Sequence, residues 1–248
     1  PKPQNPSHII LILNRKMLYS IIPTLAFAFV PDVRPAYDSR KFHSTAIDDF
    51  ITNRIPDFKD PELATLFQNT FPNTLDTTIY STTTGDSFII TGDIDAMWLR
   101  DSCNQVLPYV QFISQDSALE NLLTGTVMRM ARSVLLDSYA NAFNIDGSRR
   151  TEHWNDVRTP KMTNAVFEGK YELDSLAAFL KLSRSVYSES STLFKTQSDD
   201  LVIWLDAITK TIATIKEQQK STDEDNAQSS GPAYLFKRNT DVASDTLI

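Results

Sequence analysis

Four charged side chains sit among the bulkiest apolar ones in the stretch TGDIDAMWLRDS, residues 91–102. Asp93, Asp95, Arg100 and Asp101 share it with Met97, Trp98 and Leu99. A buried, unpaired charge costs several kcal/mol, so these groups need partners or a polar ligand. A second run, FEGKYELDSL at 167–176, sets Glu168, Lys170, Glu172 and Asp174 beside Phe167 and Tyr171. A third, DSYANAFNIDG at 137–147, is dense in Asp, Asn and aromatic side chains. Carboxylates and Arg hydrogen-bond hydroxyls, aromatic faces cover the C–H surface of a sugar ring, and carboxylates are the usual catalysts of glycosidic cleavage. The three runs together fit a carbohydrate site. Each run alone also fits a plainer role: a helix cap with a local ion pair, an acidic first turn, or a loop packed on the surface.

The elements that would carry these runs read as helical. Segment 44–55 opens on Ser44 or Thr45 as N-cap, and 60–67 has Asp60 as cap with Pro61 at the first helical position. Residues 74–91 are rich in Thr, Ile, Tyr and Phe around a Thr-Thr-Gly-Asp break and read as a β-hairpin. A helix over 96–107 carries Leu99, Cys103, Val106 and Leu107 on one face. Asp95 caps it or favours its positive end, Arg100 and Asp101 flank the apolar stripe, and Pro108 ends or kinks it. Ser117 and Glu120 form a capping box for 117–136, where Leu119, Leu122, Leu123, Val127, Met130, Val134 and Leu135 recur at helical spacing. Leu173, Leu176, Ala177, Leu180 and Tyr187 repeat that pattern over 172–187. Leu201, Trp204, Leu205, Ile208, Ile212 and Ile215 do so over 199–219, with Ser198 as cap and Asp199 and Asp200 at the positive end. Residues 220–232 are polar and breaker-rich, an exposed loop. About six helices, one hairpin and no internal repeat predict a mainly helical fold without close repeats.

Composition sets the outer limits. The 248 residues are 41% hydrophobic and 10% aromatic, which suits one large globular domain or two small ones. Lys and Arg number 24 against 31 Asp and Glu, a net charge of −7 without a basic stripe, so no nucleic-acid partner is expected. Cys103 is the single cysteine, which rules out an intrachain disulfide, and His8, His43 and His153 match no metal-ligand spacing. There is no N-x-S/T acceptor with x other than Pro. Residues 9–30 are strongly apolar around Arg15 and Lys16. From Met17 onward they read as the apolar region of a secretory signal, and Pro23 and the short length argue against a stable membrane span. The expected organisation is an apolar N-terminal segment over 1–33, a signal or anchor, ahead of one domain over 34–248. With a signal the protein enters the secretory pathway or leaves the cell; without one it is cytoplasmic.

FIITGDIDAMWLRDS, DSYANAFN and KYELDSL resemble glycoside hydrolase family 125, in colinear order over 34–248, and FPNTLDTT is similar to its fungal branch. The resemblance implies an all-α fold: the N-terminal portion of an (α/α)6 toroid with a short β-hairpin insertion. It implies an inverting exo-α-1,6-mannosidase acting on a mannose-containing glycan, with neither metal nor cofactor. It makes Asp93, Asp95, Trp98, Arg100, Asp101, Glu172 and Asp174 substrate-binding residues, with Arg100 and Asp101 gripping hydroxyls of the terminal mannose. Two departures stand out. Where many relatives have Glu-Arg-Lys before Tyr, this sequence has Glu168-Gly169-Lys170. The later Arg-Pro-Ser-Asp-Asp and His-Glu-Ser segments, which carry the family's general acid and base, are absent from these residues. A twelve-helix toroid needs about 350–400 residues. The catalytic carboxylates are thus expected beyond Ile248, in a chain truncated at its C-terminus. The alternatives are a non-catalytic glycan-binding protein or degenerate fragment, and a different helical-toroid enzyme such as a glucan hydrolase.

Overall fold

The computed structural model describes residues 30–82, 85–148, 156–190, 198–221, 224, 228 and 231–238. The apolar segment over 9–30 lies outside the described residues apart from Val30, as do His8, His153, much of 220–232 and all of 239–248. Helix α1, Thr45–Arg54, starts at Ser44, whose hydroxyl accepts the Ile47 N–H at 3.3 Å. Helix α2, Pro61–Thr70, starts at Asp60, whose carboxylate accepts the Glu62 N–H at 2.9 Å. Both starts sit where the sequence places them. A short helix α3, Asn73–Thr77, then precedes the hairpin, so its first residues are helical rather than extended. The hairpin itself is β1, Ile79–Ser81, antiparallel to β2, Ser87–Ile89, with Tyr80 opposite Phe88.

The next elements correct the sequence reading at the region of most interest. Met97–Trp98 form a strand, β3, and helix α4 runs only from Leu99 to Val106. Asp95 therefore does not cap it; the N-cap is Trp98, with no side-chain capping bond. Beyond α4 the chain tightens into a 3₁₀ stretch, Leu107–Gln115, with Pro108 near its start. Helix α5, Ser117–Leu136, is capped one residue earlier than expected, by Asp116, whose carboxylate accepts the Ala118 and Leu119 N–H groups. Glu120 is buried and accepts from Ser190 Oγ instead of closing a capping box on Ser117.

Helices α6, Leu173–Glu189, and α7, Asp199–Glu217, complete the helical layer. On α6 the buried face is Ser175, Leu176, Ala178, Phe179, Leu182, Ser183 and Val186. Of the anticipated stripe, Leu176 is buried and Leu180 packs on the core, whereas Leu173, Ala177 and Tyr187 are exposed. Helix α7 buries Ala207, Thr211 and Thr214 and leaves Leu205 and Ile212 exposed. Leu135, also assigned to the core, is exposed at the end of α5.

Two further sheets appear beside the hairpin. One orders β3, β4 (Ala142–Phe143) and β6 (Val166–Glu168), all antiparallel; the other pairs β5 (Asp156–Thr159) with β7 (Leu235–Arg238). The core gathers Ile47, Phe88, Leu99, Val106, Leu123, Met130, Phe143 and Phe179 from nearly every element. Gly125 lets α5 lie close on β2: a Cβ there would meet Ser87 Oγ at 2.7 Å. Ahead of α1, Arg34 reaches across to Asp76 at 2.8 Å and Asp48 at 2.7 Å, and Asn69 accepts the Val33 and Arg34 N–H groups.

Candidate functional site

The three-stranded sheet is what joins the charged runs. Trp98 of β3 lies opposite Ala142 of β4, and Ala142 lies opposite Glu168 of β6. One side of that sheet continues into α4 with Arg100 and Asp101, the other into α6 with Glu172 and Asp174. Parts of 91–102, 137–147 and 167–176 thus meet around one sheet, although 27 to 74 residues of chain separate the paired side chains.

Arg100 is the centre of the charge arrangement. Its Nη1 donates to Glu172 Oε2 at 3.0 Å and to Asp174 Oδ2 at 2.9 Å. Its Nη2 faces Asp101 Oδ2 at 3.6 Å, and that oxygen is shielded from solvent without a hydrogen-bond donor. Lys170 Nζ lies 3.6 Å from the other oxygen of Glu172, and Ser175 Oγ donates to Glu172 Oε2 at 2.9 Å. The hydrogen bond to Asp174 raises the Arg100 pKa above its ordinary value; partial burial opposes this, and the charges of Glu172, Asp174 and Asp101 add to it. Arg100 stays a cation at every accessible pH.

Trp98 supplies the aromatic wall. Its indole Nε1 donates to Glu168 Oε2 at 3.4 Å, and its ring stands edge-on to Phe167 at 5.2 Å between centroids. Asn141 Nδ2 donates to the same Glu168 oxygen at 2.6 Å. Nearby, Tyr139 stacks on Tyr234 at 5.0 Å, while the Tyr234 hydroxyl donates to Gly169 O at 3.2 Å and accepts the Tyr171 N–H at 2.9 Å. The Tyr171 hydroxyl is buried without a hydrogen-bond partner, and burial raises its pKa, with Tyr139 adding to the effect. At Gly169, where the family resemblance expects Arg, the space is filled by Met162, whose Sδ would lie 2.3 Å from an added Cβ.

Of the residues singled out from sequence, the structure gathers Trp98, Arg100, Asp101, Glu172 and Asp174. Asp93 and Asp95 lie apart from Arg100's ion pairs, in the exposed 91–95 loop ahead of β3. Sequence reasoning passed over Asn141 and Ser175. Both are buried, and neither residue type carries a chemical signal by itself. Among the described residues no three His, Cys, Asp or Glu side chains are grouped to hold a metal ion. No helix among them is long and apolar enough to cross a membrane.

What the arrangement can do is bind a polyhydroxylated ring. The Arg100 guanidinium offers donors and the carboxylates that fix it offer acceptors, at set spacing.

The profile of the family described as metal-independent alpha-mannosidase (GH125) matches residues 60–248. The chain is 40% identical over 232 residues to the meiotically up-regulated gene 157 protein of Schizosaccharomyces pombe, an alignment covering 88% of this chain and 44% of that protein. It is also similar to a Streptococcus pneumoniae structure from a family of metal-independent alpha mannosidases, solved as a non-productive substrate complex with alpha-1,6-mannobiose. That match has a TM-score of 0.66 and 30% identity, and covers 84% of this chain and 46% of the other. The chain spans less than half the length of either relative.

Proposed function

Because the chain belongs to the metal-independent α-mannosidase family GH125, we propose that its Arg100 cluster holds the terminal mannose of an α-1,6-linked glycan for inverting, exo-acting hydrolysis. The observation that carries this reading is the fixed set of Arg100, Glu172 and Asp174, with Trp98 on the strand that leads into the Arg100 helix. The cluster would accept and donate hydrogen bonds to the sugar's hydroxyls, with Trp98 covering a C–H face. Asp93 and Asp95 would join it only if the 91–95 loop folds over bound sugar. An inverting reaction also needs a general acid and a general base, typically about 6.5–9.5 Å apart with water between them. Asp101, Glu172 and Asp174 are held on the Arg100 cation, and Glu168 accepts from the Trp98 and Asn141 N–H groups, so these carboxylates are engaged in fixing the cluster. The proposal therefore assigns this cluster to holding the sugar and assigns the acid and base to other residues.

That same pairing favours a second reading, glycan binding without turnover. Incubating the purified chain with α-1,6-mannobiose and, separately, with α-1,6-linked diglucose separates the possibilities. Binding of the mannoside alone without release of mannose fits a sugar-holding cluster. Release of mannose would place the acid and base within these residues, and equal binding of the glucoside would remove the mannose assignment. The apolar 17–30 segment is proposed as a secretory signal, which N-terminal sequencing of the mature protein tests.

A further inference from the structure

Asn141 touches all three runs that make the cluster. Its backbone carbonyl accepts the Leu99 N–H at 3.0 Å, the first N–H of the helix that carries Arg100 and Asp101. Its backbone N–H donates to Glu168 O at 3.2 Å. Its side-chain Nδ2 donates to Glu168 Oε2 at 2.6 Å, and its Oδ1 accepts the Lys170 N–H at 3.3 Å. The residue is 1% exposed. Four hydrogen bonds from one buried amide residue thus link the start of α4, strand β6 and the turn that leads into Glu172.

We propose that Asn141 is the positioning residue of this site: its side-chain amide holds Glu168 as the acceptor for the Trp98 indole and holds the Lys170 N–H, while its backbone carbonyl holds Leu99, and together these set Arg100 against Glu172. A smaller residue would keep the backbone bonds but lose the clamp on Glu168. An Asp would keep the shape and turn a donor into a second carboxylate 2.6 Å from the first. Two carboxylates at that distance cannot both ionise freely, so the pair's upper pKa rises above the ordinary carboxylate range of about 4 to 4.5. Among the described residues, the charged groups on the elements packed against the pair include Arg100 on α4, Lys170 and Glu172 on the β6–α6 turn, and Asp137 with Arg158, whose Nη1 reaches Gly169 O at 3.4 Å.

The Trp98 indole N–H reports on Glu168 directly, and its resonance in the ¹⁵N-labelled chain is assigned by Trp98→Phe. The native protein's resonance over about pH 5 to about pH 8 is the reference. In Asn141→Asp it titrates within that range. In the Asn141→Asp, Glu168→Gln double variant, which restores one amide facing one carboxylate, the titration disappears. An Asn141→Asp signal that does not move with pH overturns the proposal, as does a titration that survives in the double variant. If Asn141→Asp does not fold, Asn141→Ser serves instead: unchanged helix content with a shifted or broadened indole resonance upholds the positioning role, and an unchanged resonance overturns it. A sugar arm rests on the mannose reading above. Affinity of Asn141→Asp for α-1,6-mannobiose should fall about tenfold at pH 8 and recover at about pH 5. Failure of the native chain to bind mannobiose, with the indole behaviour intact, would overturn the mannose reading and uphold the positioning one.

Discussion

Arg100 holds two carboxylates that lie 72 and 74 residues further along the chain. Its replacement should nonetheless cost little stability. Arg100 and Asp174 are 38% and 60% exposed at their side chains, and exposed ion pairs contribute about 0–1 kcal/mol. Arg100→Ala should therefore unfold within about 1 kcal/mol of the native chain in urea. A loss of several kcal/mol would mean that the cluster is built for folding rather than for a ligand. The same residue shows what the sequence conceals. Arg100 and Asp101 could be singled out because charges beside Trp98 are unusual. Asn141, which ties the runs together, could not, because half of its hydrogen bonds come from its backbone and an amide side chain advertises no chemistry.

Elements were legible in proportion to their length. The 20 residues of α5 and the 19 of α7 repeat apolar side chains over several turns, so their existence is clear from spacing. Strands β3 and β4 are two residues each, too short for any alternation to register, and β3 runs straight into α4, which is why Met97 and Trp98 read as helix. On α6 two apolar stripes compete, and spacing alone does not say which faces the core; Phe179, Leu182 and Val186 win because α4 and α5 pack there. Two element-level predictions follow from buried polar contacts. Asp116 caps α5 and also accepts from Ser44 Oγ at 2.6 Å, so one side chain serves the starts of both α1 and α5. Asp116→Ala should lower unfolding free energy by about 1–2 kcal/mol in urea melts, and a change near zero would show that the caps are replaceable by water. Tyr109 on the 3₁₀ stretch donates to Phe71 O, and burial pushes its pKa up to about 12. A raised folded value means its contribution is fully present below the unfolded value of about 10 and is lost as pH rises through about 12. Alkaline melts should show that loss in the native chain and not in Tyr109→Phe; identical curves would contradict it.

At the scale of the whole molecule, helix α7 leaves an apolar strip uncovered among the described residues. Val202, Leu205 and Ile212 recur along one face of α7 and are 58%, 49% and 44% exposed. Exposed apolar strips of this kind promote association, so sedimentation should show self-association that rises with concentration and falls in Val202→Lys, Leu205→Lys. A monodisperse native chain would contradict that expectation. The fold matches a portion of the helical-toroid fold of the metal-independent α-mannosidases, and the helices act chiefly as the frame that brings three short runs together. On the proposed function, the Arg100 cluster binds mannose. Calorimetric titration of the native chain and of Arg100→Ala with α-1,6-mannobiose tests it most directly. Saturable binding by the native chain, weakened about 10–100-fold by Arg100→Ala with circular dichroism unchanged, is the predicted result. No binding by the native chain, or equal binding by both, would contradict the account.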